Sequence, residues 1–275
     1  MKKNLVILFV QLFSFSILLS LSSCKKGNLE NVKNKQLNAT DFKIVGIEHN
    51  KALENVYQTL KSSKSGSANF RTTFLTLDYA LMLSEQTTID YVNSSDFSSE
   101  STQLAIELIN NIYDHMPLMT DNGLYTSVIA NSLNAAQIQI LDQLNVVMSD
   151  DDYSLPSLQN RINNIESQVP SLNLTEEQQI IIYSATSVAK YTLEYWNVNF
   201  DEWVALNSNI NGRMASRPFN WKQVGKNDIA GAVAGAAATG IARLFGPIGW
   251  TIWGGAILGG AVGGSAYDAV MQLLK

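Results

Sequence analysis

Apolar positions along the chain recur at helical spacing from about residue 41 onward. Val45, His49, Ala52, Val56 and Leu60 step by three and four, and Leu104, Leu108, Ile112 and Met116 step by four. Ile129, Leu133, Ala136, Ile140, Leu144 and Val147 form one long stripe, and Ile181, Val188, Tyr191 and Tyr195 share a face. Such steps place side chains on one side of an α-helix, whereas a half-buried strand alternates with period two. No stretch alternates for long and proline is scarce, so the pattern predicts an all-α, multi-helix bundle with seven helices between 41 and 208.

Punctuation sets the boundaries. Lys64-Ser65-Gly66-Ser67, "DYVNSSDFSSES", Pro117 with Asn122-Gly123, and "SDDDYSLP" separate successive helices. Thr175 followed by Gln178 is a capping box opening the helix "LTEEQQIIIYSATSVAKYTLEYW". Residues 25 to 40 are polar and aperiodic, which predicts a flexible tether from 24 to 40 ahead of a helical domain over 41 to 220.

The pattern changes at the C-terminal end. Ile229 to Ala242 is uncharged, Arg243 interrupts, and Leu244 to Tyr267 is uncharged again, with Gly246-Pro247-Ile248-Gly249 marking a turn. Pro247 suits the first position of a helix. A Gly/Ala-rich helical hairpin is predicted, about 228 to 243 and 247 to 273, within a tail unit spanning 225 to 275. Eleven glycines lie between 231 and 264, and each costs about 1 kcal/mol in a helix interior. Their spacing offers the compensation: Gly255, Gly259 and Gly263 are four apart, as are Gly260 with Gly264 and Gly231 with Gly235. Such strips let helix backbones approach closely. The tail resembles the glycine-zipper segments of membrane-active proteins and small bacteriocins. That resemblance implies insertion into a bilayer, with Trp250 and Trp253 at an interface. The glycines are equally compatible with packing against the helical body or a second copy in a homo-oligomer.

At the other end, "MKKNLVILFVQLFSFSILLSLSSC" has two lysines, an uncharged and largely apolar run from Leu5 to Leu21, and small residues before Cys24. This is the layout of a secretory signal peptide over 1 to 23. Leu21-Ser22-Ser23-Cys24 resembles the lipobox of Gram-negative lipoprotein precursors. The resemblance implies cleavage before Cys24 and acylation there, palmitate included, and no aspartate follows the cysteine, which implies the outer membrane. Two or more acyl chains anchor a protein stably, one only marginally.

Composition narrows the chemistry. Cys24 is the single cysteine, so acylation leaves no thiol for a disulfide, metal or nucleophile. Loss of Lys2 and Lys3 with the leader takes 19 basic side chains to 17 against 24 acidic ones, a net charge near −7. An acidic body without a basic cluster is a poor nucleic-acid binder. The two histidines, His49 and His115, lack any zinc-motif spacing and are expected as a core residue and a helix-terminal one. Asp150-Asp151-Asp152 lacks an EF-hand loop and reads as an inter-helix turn. Tyr191, Tyr195, Trp196, Phe200 and Trp203 fit either an aromatic core or a ligand groove. "EHN", "EYW" and the tail resemble uncharacterised envelope lipoproteins, a resemblance that brings no activity with it. The expectation is a non-enzymatic envelope lipoprotein needing no cofactor and touching the membrane through Cys24, with or without the hairpin. Its rivals are a bacteriocin-like pore former and a metal- or ligand-binding protein or hydrolase using His49 and His115.

Overall fold

A computed structural model describes residues 37–65, 76–115, 133–151, 154–207, 219–239 and 247–274. Cys24, Met116, Pro117, Ile129, Arg243 and residues 24–36 of the tether lie outside the described residues, whereas its last four residues join the body, with Leu37 buried and Asn38 capping a 3-10 turn at Ala39–Phe42. Eight α-helices, two short 3-10 turns and no strand occur among the described residues, so the fold is the all-α bundle with its C-terminal hairpin. The helices are α1 Lys43–Ser65, α2 Leu77–Ser94, α3 Ser99–His115, α4 Ala135–Ser149, α5 Leu155–Gln168, α6 Glu176–Asn207, α7 Trp221–Ala238 and α8 Pro247–Leu274.

Their starts follow from local hydrogen bonding. Asn134 and Gln137 exchange side-chain bonds with each other's backbone N–H groups at the start of α4, and Thr175 and Gln178 do the same before α6. Each box satisfies two N–H groups that the helix leaves open. Because Asn134 is the cap, Leu133 precedes α4 rather than belonging to it. The Asn220 side chain accepts from the Gln223 N–H, so α7 begins seven residues before the expected Asp228. Its polar first turns, "WKQVGKN", lack the apolar rhythm that marks a helix in sequence.

The centre of the bundle is α8. Residues 254–266 are buried on every face, and the helix touches α1, α2, α3, α6 and α7. Two glycine rows explain how so many neighbours fit. A Cβ at Gly231 would collide with the Gly260 carbonyl, and one at Gly260 with the Gly231 carbonyl. A Cβ at Gly235 would strike the Ala256 carbonyl, and one at Gly264 would lie 2.7 Å from the Asn227 carbonyl. The opposite row faces α3: added methyls at Gly255 and Gly259 would lie 2.7 Å from Ser101 Oγ and 2.8 Å from Ala105 Cβ. Thus α8 meets α7 and α3 nearly backbone to backbone, with dispersion contacts in place of side-chain interdigitation.

This contact decides which face of α3 points inward. Ser101, Ala105, Ile109 and Ile112 are buried, whereas Leu104 and Leu108 are only partly covered. The stripe read from apolar character was therefore rotated by about one position. Small side chains fit against a glycine row; leucines do not.

The remaining core has two lobes joined along α6, which is buried on all sides from Ile180 to Ala189. One lobe gathers Ile140, Leu144, Ile162 and Ile182 with Val233 of α7, and the other Leu53, Val56, Trp196 and Trp203 with Val270 of α8.

Candidate functional site

Some polar side chains of the core bond within their own helices, as Thr88 and Thr186 do, and others bridge two elements, as Ser187 does to the Phe42 carbonyl, but one group converges from four helices. His49 of α1, Thr192 of α6, Asp228 of α7 and Ser265 of α8 are each fully buried. Each lies on a face that packing turns inward: His49 continues the Val45–Ala52–Val56 stripe, and Asp228 precedes Gly231 and Gly235 by three and seven residues. The α7–α8 glycine contact carries Asp228 into the interior.

The hydrogen bonds fix the imidazole. Asn50 donates from Nδ2 to the Tyr191 carbonyl at 2.9 Å, which turns its Oδ1 toward His49 Nδ1 at 3.1 Å. An acceptor at that distance places the ring proton on Nδ1. His49 Nε2 then faces Asp228 Oδ2 at 3.5 Å. The Thr192 hydroxyl donates to the same oxygen at 2.7 Å.

Electrostatics follow from burial. Desolvation pushes the Asp228 carboxyl up to about 8, opposed by the Ser265 and Thr192 hydroxyls and reinforced by the Asp268 carboxylate. Desolvation brings His49 down to about 4, against the Asn50 contact. Asp268 is itself raised, chiefly by burial, although Gln272 and Asn227 oppose the shift. At neutral pH the two partners are a carboxylic acid and a neutral imidazole. The arrangement holds a proton away from solvent, and no face of either group reaches the surface.

The other candidate residues resolve separately. The His115 side chain lies outside the described residues, as do those of Trp250 and Trp253, which stand in the first two turns of α8. Among the described residues no three His, Cys, Asp or Glu side chains are gathered as a metal would need. Around Asp150 and Asp151 the Lys222 ammonium meets the Asp150 carbonyl and the Asp151 carboxylate, and Arg161 pairs with Asp150 at 2.8 Å. Protein cations occupy that acidic turn.

Of the aromatic segment Tyr195, Trp196 and Trp203 form core, while Tyr191 and Phe200 are half-buried. Trp196 and Trp203 are fully buried with ring centroids 5.4 Å apart, and Trp203 Nε1 donates to the Tyr195 hydroxyl at 2.9 Å. Tyr195 passes the chain on to Glu54 at 3.1 Å, and Tyr57 donates to Glu202 at 2.9 Å.

Sequence reasoning missed Asp228, Thr192 and Ser265 as partners of His49. The available signal was positional, an aspartate on the glycine face of a helix. Among the described residues no helix is long and apolar enough to cross a membrane. No family model, curated protein or solved structure matches this chain.

Proposed function

We propose that the chain is a non-enzymatic envelope lipoprotein, held to the outer membrane by acyl groups on Cys24, whose glycine hairpin serves the packing of its own body. What supports the division of labour is the engagement of both glycine rows within one chain: Gly231, Gly235, Gly260 and Gly264 in the α7–α8 contact, and Gly255 and Gly259 against α3. Glycines used in this way are unavailable to a bilayer or a second copy unless the core opens. The leader and the lipobox-like Leu21–Cys24 then supply the attachment. A non-catalytic role is supported by the His49–Asp228 pair, which is sealed from any solute.

Fractionation of cells expressing Cys24→Ala separates the two modes of attachment. The expected product is released in soluble form, and a variant that stays with the membrane overturns the reading. The rival pore-forming function is tested by dye-loaded liposomes exposed to the full chain. Inert liposomes are the expected outcome, and leakage at micromolar protein would reinstate the hairpin as an effector.

A further inference from the structure

Between His49 Nε2 and Asp228 Oδ2 there are two lone-pair-bearing atoms, 3.5 Å apart and wholly buried. The Nδ1 proton is committed to Asn50, since the Asn50 amide is oriented by its own bond to the Tyr191 carbonyl. Neither Thr192, which donates to Oδ2, nor any apolar neighbour supplies a hydrogen to Nε2. Two bare acceptors facing each other in a dry interior repel, so the site needs one additional proton, held by the pair as a unit.

We propose that this shared proton is a latch fastening α7 to α1 and α6, and that its loss at alkaline pH opens that junction to water while the α7–α8 glycine contact persists. The inference is independent of acylation and so does not rest on the reading above.

What faces the pair from each helix decides the direction. From α1 comes His49 itself, with Glu48 directed away toward Lys51 and Tyr91. From α6 comes the uncharged Thr192, whose methyl lies with Met148 of α4 beside Gly225. From α8 come Ser265 and Asp268, the latter a carboxyl that disfavours a second negative charge nearby. Within α7, Lys222 is engaged at Asp150 and Asp151 and Lys226 lies two residues before Asp228. What α3 sets against the α8 glycines is Ser101, Ala105, Ile109 and Ile112, with no charge. Deprotonation therefore leaves a buried carboxylate with only the Thr192 and Ser265 hydroxyls to stabilise it, no cation, and an acidic neighbour. A buried charge so placed is relieved by hydration, which requires the helices to part.

The proton count does not depend on which partner carries the proton. In the unfolded chain the two groups hold one proton between the ordinary carboxyl and imidazole values, about 3.9 and 6.5, and none above. In the folded protein the Asp228 carboxyl keeps its proton up to about 8 while burial holds His49 neutral down to about 4. Between pH 6.5 and 8 the folded state binds one proton more than the unfolded one, so stability falls as pH rises. The unfolding constant grows at most about tenfold per pH unit, roughly 30-fold across that window, and then levels off.

Hydrogen exchange of the full-length chain from pH 6 to 9 tests the latch. The expected result is an acceleration in α7 and the first half of α1 that starts near pH 6.5, exceeds the intrinsic tenfold per unit up to about pH 8 and levels off above it, while the α8 amides opposite α3 remain the slowest to exchange. Asp228→Asn keeps a donor toward Nε2 at every pH and is expected to abolish the excess. An excess that survives Asp228→Asn, or its absence in the wild-type protein, overturns the proposal. Should that variant fail to fold, nuclear magnetic resonance of the wild-type protein decides. His49 is expected to keep a bare Nε2 from pH 7 to pH 5, and the Asp228 carboxyl carbon is expected to titrate between pH 7 and 9. A His49 ring that titrates near 6.5, or an Asp228 carboxyl already ionised at pH 6, overturns it.

Discussion

A methyl group added at Gly231 meets the carbonyl of Gly260, a backbone atom held by its own helix. The same methyl at Gly263 lies 3.1 Å from Ile112 Cδ1, the far end of a side chain that can turn. The two glycines look alike in sequence, each part of a four-residue repeat, and only the partner distinguishes them. Gly231→Ala is expected to destabilise the protein by about 1–3 kcal/mol, the usual result of overpacking. Gly263→Ala is expected to be close to neutral, because the gain of about 1 kcal/mol in helix propensity offsets a small shift of Ile112. Urea denaturation of both variants checks the contrast, and equal losses would contradict the backbone contact. His49 shows the same limit of one-dimensional reading. Its burial was legible from its stripe, but its partner lies 179 positions away and follows only from how α7 sits on α8.

At the scale of elements, periodicity and capping chemistry located helices well where one side faces water. They served less well where no side does. In α8 the small and apolar residues run all round, so the sequence carries no rotational phase, and the identity of its neighbours had to come from the glycine rows. α3 shows the complementary failure: hydrophobicity favoured Leu104 and Leu108, while the interface selects Ser101 and Ala105 for their size. Ala105→Leu is therefore expected to be far more damaging than Leu104→Ala, although only the first replaces one apolar residue by a larger one. Thermal midpoints of the two variants provide the measurement. The start of α7 rests on Asn220, and Asn220→Ala is expected to cost about 1 kcal/mol and to speed exchange of the Gln223 amide.

For the whole molecule, two lobes of core share α6 and close on α8. Raised carboxyls make the body sensitive to alkali. A carboxyl whose folded value lies above its unfolded one gives stability that is complete below the unfolded value and lost as pH rises through the folded value. Burial raises Asp228 and Asp268 in this way, and it raises Glu85 with help from Asp114. The thermal midpoint is accordingly expected to be higher at pH 6 than at pH 8.5. The His49–Asp228 pair alone accounts for about 2 kcal/mol, or roughly 5 °C for a body of this size. A midpoint that climbs over that range would contradict the assignment of a protonated interior.

The helix at the centre of the bundle is also the one that comes after every helix it packs against. While a chain emerges in order from ribosome or translocon, α1, α2, α3, α6 and α7 appear first and surround a space whose filling has yet to be made. Nothing earlier in the described sequence can stand in for α8, because its neighbours are shaped to a glycine surface. Closure of the centre must therefore wait until about residue 266 is available, and the contacts that five helices make with α8 form late. A chain cut short before Pro247 has its outer helices but no axle. Such a fragment is expected to remain sensitive to protease where the full chain resists.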